Sequence, residues 1–328
     1  MNDAGQLGDG TTTSRLSAMK QPFDAGKVVD MALGARHACA VFESAGEKSD
    51  APDGSARSIS CWGDGSRGQL GAAIPSTLVP VRTIDESGPA LAVGVGAEHT
   101  CIRSGAGDRL RCFGANDEGQ LGGPEEIGAS WARGARIRDF ALGAAHTCVA
   151  YGKGTGSNEM VLCRGRAAAA PREPLLGSVA VRELSSGGDH TCALLEDLTA
   201  RCWGKNDSGQ LGDGTTQDSA DPVSVAGLQD VAQVAVGRRH TCALLRNGTI
   251  ACWGDNSRHQ LASGTTENSS APRVVVGLVS AREIVAAGDG TCVRLEGGYV
   301  RCWGVNERGE LGDGTTVEHT VPAQVRFR

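Results

Sequence analysis

Apolar residues along this chain fall in short runs, and Gly, Asn, Asp and Ser interrupt them at regular intervals. The clearest stretch begins Val231-Ala-Gln-Val-Ala-Val and turns at Gly237-Arg-Arg into His240-Thr-Cys-Ala-Leu-Leu. Arg246-Asn247-Gly248 turns it again into Thr249-Ile-Ala-Cys-Trp-Gly, and a polar loop through Asn256, Gln260 and Gly264 leads to Ala271-Pro-Arg-Val-Val-Val. Four β-rich runs divided by turn-forming residues predict a small antiparallel meander. No run sustains an apolar period of 3.6 residues, so few helices are expected.

The pattern then repeats. Trp203, Trp253 and Trp303 stand 50 residues apart, and Gln210, Gln260 and Glu310 keep the same register. A period of this length indicates an array of one supersecondary unit. The His-Thr/Ala-Cys slot is filled at His37, His99, His146, His190 and His240, with Asp289-Gly-Thr-Cys292 in sixth place. The expected units are a partial repeat over 1–26, then 27–84 with a polar insertion at 44–58, 85–135, a degenerate 136–178, 179–227, 228–277 and 278–328. Units of this size cannot bury both faces alone and pack radially as propeller blades, so one all-β domain spans residues 1–328.

Gly-x-x-His-Thr-Cys, Cys-Trp-Gly-x-Asn, Gly-Gln-Leu-Gly-Asp-Gly-Thr-Thr and a closing Pro-x-x-Val together resemble the regulator of chromosome condensation (RCC1) repeat, over essentially the whole chain. The resemblance implies a β-propeller of four-stranded antiparallel blades, normally seven. Six complete repeats plus a partial one would leave the seventh blade without its central hairpin, as an N-terminal truncation would; a six-bladed ring is the alternative.

The twelve cysteines divide two per complete unit, as Cys39 and Cys61, Cys101 and Cys112, Cys148 and Cys163, Cys192 and Cys202, Cys242 and Cys252, Cys292 and Cys302. A hairpin centred on the three-residue loop Arg246-Asn247-Gly248 sets Cys242 directly opposite Cys252, within disulfide reach. Glu296-Gly297-Gly298 does the same for Cys292 and Cys302, whereas Leu198 at the glycine position predicts a different loop in the fourth unit. Even pairing favours one disulfide per blade over buried thiols, and the spacing does not match a structural zinc site. Disulfides at this density imply an oxidising compartment, hence a periplasmic, extracellular or cell-surface protein. No signal peptide or apolar membrane span is visible.

Five histidines in one repeat slot read as structural groups that bond the backbone between strands or blades, with His259 and His319 in solvated loops. Trp62, Trp203, Trp253, Trp303 and Phe113 are expected between blades. The Asn/Asp-Gly loops lack the order of a calcium loop and read as turns. Neither phosphate-binding nor nucleophile-elbow motifs occur, so no catalytic residue, cofactor or metal is assigned. A net charge of −6 without a basic run argues against nucleic acid. The leading reading is a non-catalytic, monomeric scaffold that binds a protein through irregular loops at 44–58, 123–135 and 153–176. Guanine-nucleotide exchange on a small GTPase, which the resemblance implies through an inserted wedge, and a structural surface or coat role are the alternatives.

Overall fold

The computed structural model describes residues 1–18, 26–48, 55–71, 74–83, 89–105, 109–122, 136–152, 159–166 and 179–327. Six antiparallel sheets follow one another along the chain, each in simple meander order. The first contains β1 (Lys27–Leu33), β2 (His37–Lys48), β3 (Ser55–Gly63) and β4 (Thr77–Thr83). The second has β5 (Ala90–Val95), β6 (His99–Ser104) and β7 (Arg109–Gly114), and the third β8 (Arg136–Leu142), β9 (His146–Gly152) and β10 (Glu159–Gly165). The fourth has β11 (Val181–Ser186), β12 (His190–Leu195), β13 (Ala200–Gly204) and β14 (Ser219–Ser224). β15 (Val231–Val236), β16 (His240–Leu245), β17 (Ile250–Gly254) and β18 (Ser269–Val274) make the fifth. β19 (Ala281–Ala287), β20 (Gly290–Leu295), β21 (Val300–Gly304) and β22 (His319–Gln324) make the sixth. A fourth strand for the second and third sheets would fall outside the described residues.

Neighbouring sheets approach most closely through their first strands, β1 on β5, β8 on β11, β11 on β15 and β15 on β19, so these strands surround the axis. Sheet-to-sheet packing forms the core. Between the fourth and fifth sheets, Leu194, Leu211 and Val225 meet Val231, Val234, Val236 and Trp253. Between the fifth and sixth, Leu244, Ile250 and Leu261 meet Ile284, Val293 and Trp303 in the same way. Each inner strand carries a β-bulge near its start, between Val231 and Gln233 in β15 and at the matching place in the other five. A bulge adds local twist and re-aims a side chain.

In every sheet the two cysteines are directly opposed, Cys242 to Cys252 and likewise for the other five pairs, with Cα atoms 4.0–4.1 Å apart and sulfurs at bonding distance. Among the described residues no free cysteine remains. The fourth-sheet hairpin departs from expectation, because its loop matches its neighbours. Leu198 adopts φ 64° where Gly248 has φ 82°, and both amides close on the residue three before, Leu195 and Leu245. The hairpin tolerates a leucine in the left-handed region at a modest conformational cost.

The seven-bladed expectation is corrected: the described residues form six sheets. Residues 2–18 occupy only the rim between the sixth sheet and the first. The Gln6 carbonyl accepts Trp62 Nε1 at 2.9 Å and the Leu78 carbonyl accepts the Gly10 amide at 3.0 Å. On the other side, Gly314 donates to the Leu16 carbonyl at 2.6 Å, and Ser17 bridges Asp313. The partial repeat thus supplies a loop and a strand stub, with no hairpin to build a sheet.

Candidate protein interface

The histidine slot forms a ladder around the wheel. His37, His99, His146, His190 and His240 each place Nε2 2.8–3.0 Å from a threonine Oγ1 of the following sheet, Thr100, Thr147, Thr191, Thr241 and Thr291 in turn. The expected backbone partner is therefore a side-chain hydroxyl. Thr241 donates its own proton to the Gln210 carbonyl at 2.9 Å, and that oxygen also accepts Trp253 Nε1 at 2.9 Å. Since the hydroxyl proton is already used, His190 Nε2–H is the donor to Thr241. One carbonyl, one hydroxyl, one indole and one imidazole thus knot the fourth unit to the fifth.

Burial holds these imidazoles neutral, with pKa values lowered to about 4 for His37, His146 and His240 and about 3 for His99 and His190. Neutral, enclosed and hydrogen-bonded rings make poor acid–base catalysts. Among the described residues, no group of three or more His, Cys, Asp or Glu is placed to hold a metal.

The close fit has a second signature. A Cβ on Gly237 would lie 2.2 Å from Cε1 of His240, so the residue before the turn must be glycine where histidine follows. In the sixth sheet Gly290 replaces the histidine, and Ala287 replaces the glycine. At the other end of the series, Ala38 stands where later sheets have the accepting threonine. The last sheet has no imidazole to offer onward and the first has no hydroxyl to receive one.

Burial follows the same break. In the fifth sheet, Val231, Val234 and Val236 face the fourth sheet and are 0–4% exposed. Their counterparts in the first sheet, Val28, Met31 and Leu33, are 38%, 50% and 60% exposed. On the facing side of the sixth sheet, Val285 is 53% exposed where Ala235 is 5%. Arg294 replaces Leu244 there, and Cys292 is only half-buried. The packing that joins each first strand to the next is not repeated between β19 and β1 among the described residues. On the same two faces Ala38, Ala40, Phe42 and Trp62 of the first sheet and Cys302, Leu311 and Val325 of the sixth are buried, so the apolar seam is exposed only along the inner strands β1 and β19, with residues 2–18 bridging its rim.

The outer rim has a different character. Val79, Val274, Val276 and Val321 are also exposed there, but each described fourth strand carries a proline at its fourth residue: Pro80, Pro222, Pro272 and Pro322. Proline removes a donor and blocks pairing with a further strand. Of the loops expected to bind a partner, 49–54, 123–135, 153–158 and 167–176 lie outside the described residues. The insertion at 44–58 lengthens β2 and β3, with Lys48 paired to Ser55. No signal singled out the seam beforehand except Ala38 and Gly290, whose meaning depends on knowing that histidine and threonine pair across sheets.

Residues 202–244 and 247–294 match the model of the regulator of chromosome condensation (RCC1) repeat, and a second model of that repeat matches 181–210 and 231–260. Human WBSCR16 superposes with a TM-score of 0.79 at 18% identity, covering 99% of this chain and 92% of its own. Prp20p of Saccharomyces cerevisiae, described with its binding to Gsp1p and histones, gives 0.72 at 18% identity, covering 90% and 76%. At these identities the likeness is one of fold.

Proposed function

We propose that this chain, whose residues 181–294 match RCC1 repeats, is a non-catalytic scaffold of the RCC1-like repeat family that binds another protein, exported or held at the cell surface. The observation that carries the reading is the open seam. Among the described residues, Val28, Met31 and Leu33 of β1 and Val285 of β19 are exposed where their counterparts in the fifth sheet are buried. Exposed apolar patches with polar surroundings are characteristic of protein-binding sites. The proline-bearing rim resists strand addition, which leaves the seam as the favoured docking surface. Six half-cystine pairs support a place in an oxidising compartment. Partners named for the yeast relative are proteins, which is in keeping with this class of ligand.

Met31→Asp combined with Leu33→Asp tests the reading. The substitutions place two charges on residues that are already half-exposed, so the fold is retained. Affinity capture with the intact chain, compared with this variant, is expected to lose its specific protein by at least tenfold. Equal recovery by both chains refutes the seam. Recovery of the same protein by a variant carrying Val274→Asp and Val276→Asp is expected.

A further inference from the structure

The six disulfides share one construction, and the sixth departs from it. In the first, second, third and fifth sheets, the earlier half-cystine has a threonine hydroxyl of the following sheet against its sulfur. Cys39 meets Thr100, Cys101 meets Thr147, Cys148 meets Thr191 and Cys242 meets Thr291, at 3.6–4.0 Å. Residues two apart on a strand share a face, so the same sulfur is also flanked along its own strand. In β16 the flanking side chains are His240 and Leu244, both buried.

Among the described residues, none of these covers is present at Cys292. Gly290 stands at the histidine position without a side chain, and Arg294 stands at the leucine position. Arg294 is turned to the directly paired Glu283, donating through Nε at 2.9 Å, and is half-exposed. Ala38 of the first sheet has no hydroxyl to supply. Val285 is directly paired with Cys292, so it lies on the same face, and it is exposed. Cys302, opposite Cys292, is by contrast only 3% exposed and packs with Leu311, Val325 and Ala18. One sulfur of the pair is open and the other is enclosed.

Thiol–disulfide exchange needs a thiolate to reach one sulfur, so access selects the site. We propose that Cys292–Cys302 is an exchange site for a protein dithiol of the Cys-x-x-Cys class, with attack at Cys292. The incoming thiolate bonds to Cys292 Sγ, the bond to Cys302 breaks, and its electron pair leaves on Cys302, which takes up a proton. The second thiol of the dithiol, once deprotonated, attacks its neighbour's sulfur in the mixed disulfide and releases Cys292, which is protonated in turn. The dithiol is thereby oxidised to a disulfide and this pair is reduced by two electrons; the reverse sequence restores it. The other five staples stay closed, and the backbone ladder of β20 and β21 holds the opened hairpin together. The site does not rest on the scaffold reading, because exchange needs one open sulfur and no docked partner.

The probe is a thioredoxin variant whose second active-site cysteine is replaced by serine, which stops the reaction at the mixed disulfide. It is incubated with the oxidised full chain without denaturant, quenched with acid, and the adducts are mapped by mass spectrometry. One mixed disulfide is expected, at Cys292, forming at least tenfold faster than at any other half-cystine. Cys292→Ser combined with Cys302→Ser is expected to abolish it, with circular dichroism showing that the sheets persist at the assay temperature. Mapping on the unaltered chain decides the matter even where that variant is destabilised. No adduct, an adduct at Cys302 in place of Cys292, or adducts spread evenly over the six pairs overturns the proposal.

Discussion

Gly237 and His240 show how closely single residues are fitted to one another. An alanine at 237 places its Cβ 2.2 Å from the imidazole, and displacing a buried ring hydrogen-bonded to Thr291 is expected to cost about 1–3 kcal/mol. The sixth sheet already contains the compensated arrangement, Ala287 with Gly290. Gly237→Ala is therefore expected to destabilise the chain, with a smaller penalty in the presence of His240→Gly than in its absence, as denaturant midpoints of the four-member cycle will show. The ladder also fixes the response to acid. Five imidazoles have folded pKa values near 3–4, below the unfolded 6.5, so the unfolded chain binds more protons between these limits. Stability is present above pH 6.5 and lost as the pH falls toward 4. Glu183, raised to about 7, and Asp139 and Asp289, also pushed up by burial, act in the opposite sense, but they are three groups against five. Urea melts from pH 7.5 to 4 are expected to show a falling midpoint; a flat profile contradicts the buried ladder. In the sequence, the histidine slot was legible as structural, but its partner was not. Sequence spacing gives no direct sign that residues about 50 apart meet, so a backbone acceptor stood in for Thr241 and its equivalents.

At the scale of the hairpin, cysteine register was the most legible feature of all. Cys242 and Cys252 are equidistant from a three-residue turn, and the antiparallel ladder does the rest. Leu198 was misread for a physical reason. A glycine preference at φ > 0 is a matter of energy, and surrounding hydrogen bonds override it here. Each short-loop disulfide contributes roughly 2–4 kcal/mol by restricting the unfolded chain. The six are not equally accessible, because Cys292 is half-buried at the seam while the other eleven half-cystines are 0–4% exposed. Graded reduction followed by alkylation and mass spectrometry is expected to label Cys292 and Cys302 first. Uniform labelling, or earlier labelling of Cys242 and Cys252, contradicts the placement of the sixth sheet at an open face.

On the scale of the whole wheel, the repeat period predicted the meander and its radial packing, but left the number of blades open. Counting motifs cannot decide whether a rim loop and strand stub will recruit a full sheet. Among the described residues six sheets form, and residues 2–18 carry rim contacts and no hairpin. The seam was hidden for a related reason: exposure at Met31 and Leu33 depends on how the neighbouring sheets pack, and their apolar character alone predicts burial. The account makes that seam the working surface of the molecule. A photoreactive residue installed at Leu33, compared with one at Val276 on the rim, tests this most directly in the extracytoplasmic or secreted fraction of the native host. A single protein adduct from position 33 and none in common from position 276 is the predicted result; the same adducts from both positions, or none from 33, would contradict it.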